Sequence, residues 1–174
     1  MYIMKIELYT LCYNEEAIIP YVVDYYKNII NQGIDLHVNV FDNYSTDSSV
    51  KLLSKYDFIT VRQFYTSGMD DVIQAQLKNN AWKAAKGKVD FVIVCDFDEI
   101  IYSKDLNAVL TKMREGDYNV LGTPWYMMCS TQMPQYEEGK LLHEIAPTPW
   151  FNGQLSHLNQ NDKYCQNWIK EPLI

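Results

Sequence analysis

Asp96, Asp98 and Glu99 follow directly on the apolar run Phe91 to Cys95. That run is too short to span a membrane and is rich in β-branched residues, so it predicts a strand buried on both faces. On an extended chain, residues two apart share a side. Asp96 and Asp98 are therefore expected to face one way and Glu99 the other. Like charges held side by side disfavour ionisation unless something positive lies between them. Carboxylate oxygens are the ligands that Mg²⁺ and Mn²⁺ prefer, so a divalent cation is the chemistry this spacing suggests. The competing reading is a solvated acidic turn after a core strand.

The elements that must position these acids alternate in type. Ile3 to Cys12 reads as a first strand. Asn14 offers a helix N-cap, with Glu15 and Glu16 in the first turn. Ile19, Val22, Val23, Tyr26, Ile29 and Ile30 recur at three- and four-residue steps and predict an amphipathic helix. Pro20 suits its first turn and Gly33 its end. Leu36 to Phe41 predicts a second strand, followed by the polar turn Asp42 to Asp47. A short helix follows through Val50, Leu52, Leu53 and Tyr56, capped by Asp47 or a neighbouring serine. Ile59 to Phe64 predicts a third strand. Asp70 and Asp71 open a helix to about Ala85, stopped by Gly87. The β-α-β-α-β-α-β order predicts an α/β fold with a mostly parallel sheet. Ligands in such sheets bind at the carboxyl ends of the strands. Those ends carry Asn14-Glu15, Asp42-Asn43 and Asp96/Asp98, which strengthens the metal reading. Beyond Tyr102 the spacing predicts a helix over Leu106 to Met113, ended near Gly116. A strand is expected over Tyr118 to Met128, then irregular chain from Ser130.

Bulk properties remove several functions. A net charge of −7 argues against a duplex nucleic-acid face and against a polybasic membrane patch. The four cysteines, Cys12, Cys95, Cys129 and Cys165, form no C-x-x-C pair, and neither a disulfide framework nor a zinc site is indicated. The N-terminal residues lack a signal-peptide pattern, and no apolar run reaches transmembrane length. A reducing, cytoplasmic compartment is the expectation. The turn after the first strand has no glycines, so a dinucleotide-binding site is not predicted. A phosphate-binding G-x-x-x-x-G-K-[ST] loop and a G-x-S-x-G elbow are also missing. Phosphate binding would then rely on a metal.

Four segments resemble one family. They are Tyr13-Asn14-Glu15, Asp42-Asn43-Tyr44-Ser45-Thr46-Asp47-Ser48, Asp96-Phe97-Asp98-Glu99, and the stretch from Lys78 to Gly87. The last is similar to R-N-x-G-x-x-x-A-x-G, with Lys78 for Arg and Ala81 for Gly. In this order they resemble family 2-type glycosyltransferases of the GT-A fold, in the branch whose motif reads D-x-D-E, over residues 5 to about 128. The resemblance implies a Rossmann-like, mostly parallel central sheet flanked by helices. It implies a single domain over 1–174, with a donor-binding part (1–102) and an acceptor-side part (103–174) that is short for a complete enzyme or truncated.

The implied activity moves a hexosyl or deoxyhexosyl unit from a UDP-sugar to the hydroxyl of a carbohydrate or glycoconjugate acceptor. It would depend on Mn²⁺ or Mg²⁺ and invert the anomeric centre. Leu11, Tyr13 and Glu15 would lie beside base and ribose. Asp42 would accept from the uracil imide N–H. Asn43, Arg62, Asp71 and Phe97 complete the implied nucleotide-sugar set. Asp98 would be the direct metal ligand, and Asp96 would contact ribose or a metal-bound water. His157 or His143 could complete the metal shell. An inverting transfer needs a carboxylate base. Glu144 is taken first for it, with Glu137, Glu138 and Asp162 as alternatives. Two rival readings remain, a non-catalytic nucleotide-sugar-binding module and a nucleotidyltransferase; the latter expects a glycine-rich basic loop after the first strand.

Overall fold

The computed structural model describes residues 2–68, 70–116, 118–122, 127–129, 134–145 and 148–150. The chain divides into two compact units, Met1–Thr111 and Lys112–Ile174. In the first unit, β1 (Met4–Cys12), β2 (Ile34–Asp42), β3 (Ile59–Gln63) and β4 (Phe91–Val94) form a parallel sheet in the order β3-β2-β1-β4. The helices are α1 (Ile19–Asn31), α2 (Ser49–Leu53), α3 (Asp71–Ala81) and α4 (Leu106–Glu115), the last reaching into the second unit. The second unit contains β5 (Met127–Cys129), antiparallel to β6 (Thr148–Trp150), and the short α5 (Leu142–Ile145).

Alternation along β1 sets the two faces of the sheet. Met4, Ile6, Leu8, Thr10 and Cys12 are all buried. The adjoining residues of β2 on the same face, Ile34, Leu36, Val38 and Val40, are buried too. The opposite face is closed by α3 and the turn after it, where Ala81 and Ala85 pack with Tyr9, Phe41, Val89 and Val92. Small side chains at 81 and 85 let the helix lie close to the sheet. The register sets Cys12 beside Asp42 and Asp42 beside Gln63, so β1, β2 and β3 end level.

Four local expectations change. Asn14 is not the cap of α1. The helix begins at Ile19, with Pro20 in its first turn and no acid there. A proline at that place loses no hydrogen bond and has the helical φ built in. The Glu15 carbonyl accepts from the Ile18 and Ile19 N–H groups at 3.0 and 3.1 Å, forming a turn ahead of the helix. Second, β4 is not buried on both faces. It is the terminal strand of the described sheet, and Val94 is 38% exposed. Third, β4 stops at Val94, so the acids after it do not alternate across a strand. Fourth, residues 118–122 form no strand. The Tyr118 N–H donates to the Met113 carbonyl at 2.9 Å, turning the chain back at the end of α4. Trp125 and Tyr126 lie outside the described residues.

Gly33 ends α1 as expected, at φ +81, where its N–H donates to the Ile30 carbonyl. A Cβ there would meet only Asn107 Nδ2, at 3.6 Å. The space is free and the backbone is not, so Gly33→Ala should cost about 1 kcal/mol from left-handed strain alone. Urea denaturation measures this; a loss near zero would mean that the turn relaxes.

Candidate active site

The loops after β1 and β2 are tied together by reciprocal bonds between side chains and backbone. Asn14 sits at φ 56 in the left-handed region, which asparagine tolerates. Its Oδ1 accepts from the N–H groups of Thr46 (2.8 Å) and Asp47 (3.3 Å), and its own N–H donates to Ser45 Oγ at 2.9 Å. The Glu15 N–H donates to Ser49 Oγ at 2.8 Å, and the Glu16 N–H to Asp47 Oδ2 at 3.1 Å. Glu16 Oε2 accepts from the Ser48 N–H at 2.7 Å, and Asp47 Oδ1 from the Ser49 N–H at 2.9 Å. Asp47 thus sits at the start of α2 and joins two loops. The slight desolvation of Asp47 raises its proton affinity. The hydrogen bonds from Ser49 and Glu16 outweigh that effect and hold its carboxyl below the usual value.

The end of β2 and the residue after it are held inside the rim. Asp42 is fully buried; Oδ1 accepts the Ser45 hydroxyl at 2.5 Å and Oδ2 the Ser45 N–H at 3.1 Å. Asn43 is committed at both ends of its amide. Nδ2 donates to Thr66 Oγ1 at 2.7 Å, and Oδ1 accepts from the Thr66 N–H at 3.0 Å, which ties in the loop after β3. With no exposed surface, the Asp42 carboxylate is screened from a base in this arrangement.

After β4 the chain closes a tight turn. The Glu99 N–H donates to the Asp96 carbonyl at 3.1 Å, while Glu99 Oε2 accepts from the Asp96 N–H at 3.0 Å. Glu99 therefore holds the turn. Phe97 is buried and fills the core side of this turn. Asp98 is exposed, whereas Asp96 is ion-paired with Lys78 of α3. Sequence reasoning missed Lys78 as a site residue. Its signal was available, a lysine where the resembling helix motif carries arginine. The thiols of Cys12 and Cys95 are pushed up to about 12, chiefly by burial, so neither supplies a thiolate at neutral pH.

The half-buried Glu15 feels Asp98 and Asp47. Burial, then those two charges, raises its proton affinity. Leu11 is half-buried and lines a shallow dent with Tyr9, Thr10, Phe41, Lys78, Ala81 and Val94. Tyr13 is 57% exposed. Arg62 is exposed and lies opposite Phe41 in register. Asp71 is exposed in the first turn of α3, and Asp70 is the N-cap, accepting from the Ile73 N–H at 3.0 Å. In the second unit, Glu144 Oε2 accepts from the Leu141 N–H at 2.7 Å, Glu137 is paired with Lys140 at 2.5 Å, and Glu138 is exposed. Asp162 and His157 lie outside the described residues, as does the His143 side chain. Among the described residues no three His, Cys, Asp or Glu side chains converge as a ready-made metal cage. The donor set still fits a hard cation. Asp98 is an open carboxylate with negative charge around it, and Mg²⁺ commonly takes one or two carboxylates and completes its shell with phosphate and water.

A level parallel sheet flanked by helices, with acids at its carboxyl edge, is an α/β domain that matches the GT-A fold. The profile of Glycosyl transferase family 2 matches residues 8–166, and the chain belongs to that family. Among solved structures, Staphylococcus aureus TarS 1-349 aligns with a TM-score of 0.50 at 23% identity, over 76% of this chain and 42% of that one. S. aureus TarS aligns with a TM-score of 0.50 at 24% identity, over 76% of this chain and 25% of that one. The chain thus spans less than half the length of these relatives. No curated protein sequence matches it.

Two expected outcomes follow. Asn14→Ala removes the acceptor that ties the loops and puts alanine at a left-handed φ; it should cost about 2 kcal/mol, against about 1 kcal/mol for Asn14→Gly, which loses only the bonds. Equal losses in chemical denaturation would refute the backbone part. For Glu15, the folded-state affinity for a proton exceeds the unfolded one. Stability should therefore fall as pH rises from the usual 4.5 through the raised folded value, and stay lower above it. Glu15→Gln should flatten that segment of the stability–pH curve; an unchanged slope would assign it to another group.

Proposed function

We propose that this chain transfers a sugar from a nucleoside-diphospho-sugar to an acceptor hydroxyl, with a divalent cation and inversion at the anomeric carbon. UDP-sugars are the donors that the family resemblance implies, and a carbohydrate or glycoconjugate hydroxyl is the acceptor. The carrying observation is the exposed Asp98, held by the Glu99 turn at the strand edge where Glu15 senses its charge. Asp98 would hold Mn²⁺ or Mg²⁺ directly. Asp96, oriented by Lys78, would face ribose or a water on the cation. When bound, the cation supplies positive charge against the diphosphate. Lys78 adds a fixed positive charge at the same turn. In the transfer, the acceptor oxygen forms its bond to the anomeric carbon as the bond to the diphosphate oxygen breaks. The electron pair leaves with the nucleoside diphosphate, and the hydroxyl proton passes to a carboxylate. Glu144 is the first candidate, with Glu138 and Asp162 behind it. The N-terminal 1–102 would serve the donor and 103–174 the acceptor. Free, buried thiols at Cys12 and Cys95 support a reducing, cytoplasmic setting.

Two observations favour the second reading, a non-catalytic nucleotide-sugar-binding module. Glu144 already caps its own helix and Glu137 is paired with Lys140. Turnover separates the two readings, since only an enzyme releases nucleoside diphosphate to acceptor or water. The central test is Asp98→Ala. Loss of one direct carboxylate ligand should weaken Mn²⁺-dependent nucleoside-diphosphate binding at least about tenfold in calorimetry. Unchanged binding with metal present would sink the assignment.

A further inference from the structure

Three side chains that could read the edge of a base at these strand ends, those of Asp42, Asn43 and Asn14, are engaged within the protein. Asp42 is fully buried, with one oxygen on the Ser45 hydroxyl at 2.5 Å and the other on the Ser45 N–H at 3.1 Å. The Asn43 amide closes a two-bond ring with Thr66, and Thr66 Oγ1 in turn donates to the Gly68 carbonyl at 2.6 Å. The Asn14 carboxamide oxygen is held by Thr46 and Asp47. Opening any of these would unpair a loop backbone group or strand a buried polar one, which is costly.

Two exposed aromatic side chains stand on the neighbouring loops. Tyr44 and Tyr65, on the loops after β2 and β3, are 53% and 72% exposed. Their rings meet edge to face, with centroids 5.8 Å apart and planes at 87°. Tyr44 holds φ 51, a conformation that glycine adopts freely and tyrosine adopts at a cost. Burial offsets little of that cost, because about half of the residue is exposed. A strained, exposed aromatic that leans on a second exposed aromatic offers a π-face and an edge at the nucleotide end of the sheet.

Resting on the donor-site reading above, we propose that the Tyr44–Tyr65 pair holds the nucleobase of the donor by stacking, in place of edge hydrogen bonds. Every base has a π-face, and stacking tolerates all of them. Selection among donors then rests on the diphosphate and the sugar, and the site accepts pyrimidine and purine nucleoside diphosphates alike. An edge-reading carboxylate would instead separate UDP from CDP, because only uracil has an imide N–H to give.

The test is calorimetric titration of the intact chain with UDP, CDP, GDP and ADP in the presence of Mn²⁺. The expected dissociation constants fall within about fivefold of one another, and Tyr44→Gly with Tyr65→Ala weakens all four about tenfold. UDP binding more than about tenfold tighter than CDP would overturn the inference and leave the donor-site reading intact. So would unchanged affinities in the single variant Tyr65→Ala, at an exposed position whose loss leaves the fold in place. Failure of all four nucleotides to bind would overturn the inference together with the donor-site reading.

Discussion

The Asn14 side-chain oxygen is the fixed point to which the first two strand-end loops are tied. Loops at the carboxyl edge of a parallel sheet present backbone N–H groups without ladder partners, and each needs an acceptor. Asn14 supplies one oxygen to two of them, and Asp47, Ser45, Ser49 and Glu16 supply the others. The left-handed φ of Asn14 lets a single side chain reach across to the next loop. Asn43 repeats the device one strand further, linking the loop after β2 to the one after β3. The result is a level rim in which three loops hold one another. A ligand-binding rim with rotamers locked in this way loses little conformational entropy when a ligand arrives.

The same clasp redistributes the chemistry of the rim. Side chains that tie loops are not free to touch a ligand, so Asp42 and Asn43 act first as architecture. Residues whose backbone is clasped while their side chains project become the reactive surface. Glu15 is of that kind, its N–H held by Ser49 while its carboxylate stays half-exposed. The turn after β4 divides its labour similarly. Glu99 bends back to close the turn, Phe97 anchors it in the core, Asp96 meets Lys78, and Asp98 is left outward.

The order of strands and helices was legible in the sequence because apolar periodicity reports it directly, as in Ile6-Leu8-Thr10 and Ile19-Val22-Val23-Tyr26. Pro20 and Gly33 marked the ends of α1 correctly, since both act through local backbone geometry. Asn14 was misplaced because the rules for a helix cap and for a loop clasp favour the same residue types; only a partner 32 residues away decides between them. The Asp96/Asp98 alternation failed for a related reason. It assumed that the strand continued, and the carboxylate of Glu99 stops it by offering the Asp96 N–H a local partner. Lys78 was quoted as part of a motif, yet its ion pair with Asp96 spans 18 positions and no periodicity reveals it.

Electrostatics then argues for a cation at this rim independently of the motif. Lys78 offsets Asp96, but Asp98, Asp47 and Glu15 remain close enough for the first two to raise the proton affinity of Glu15. The chain as a whole carries −7. A diphosphate approaching such a rim meets like charge, and a single fixed ammonium cannot offset both the rim and the ligand. Bound at Asp98, a divalent ion would supply the positive charge that offsets both the rim and the ligand. In the proposed reading, donor and cation therefore bind as a pair, with the open carboxylate of Asp98 as their meeting point.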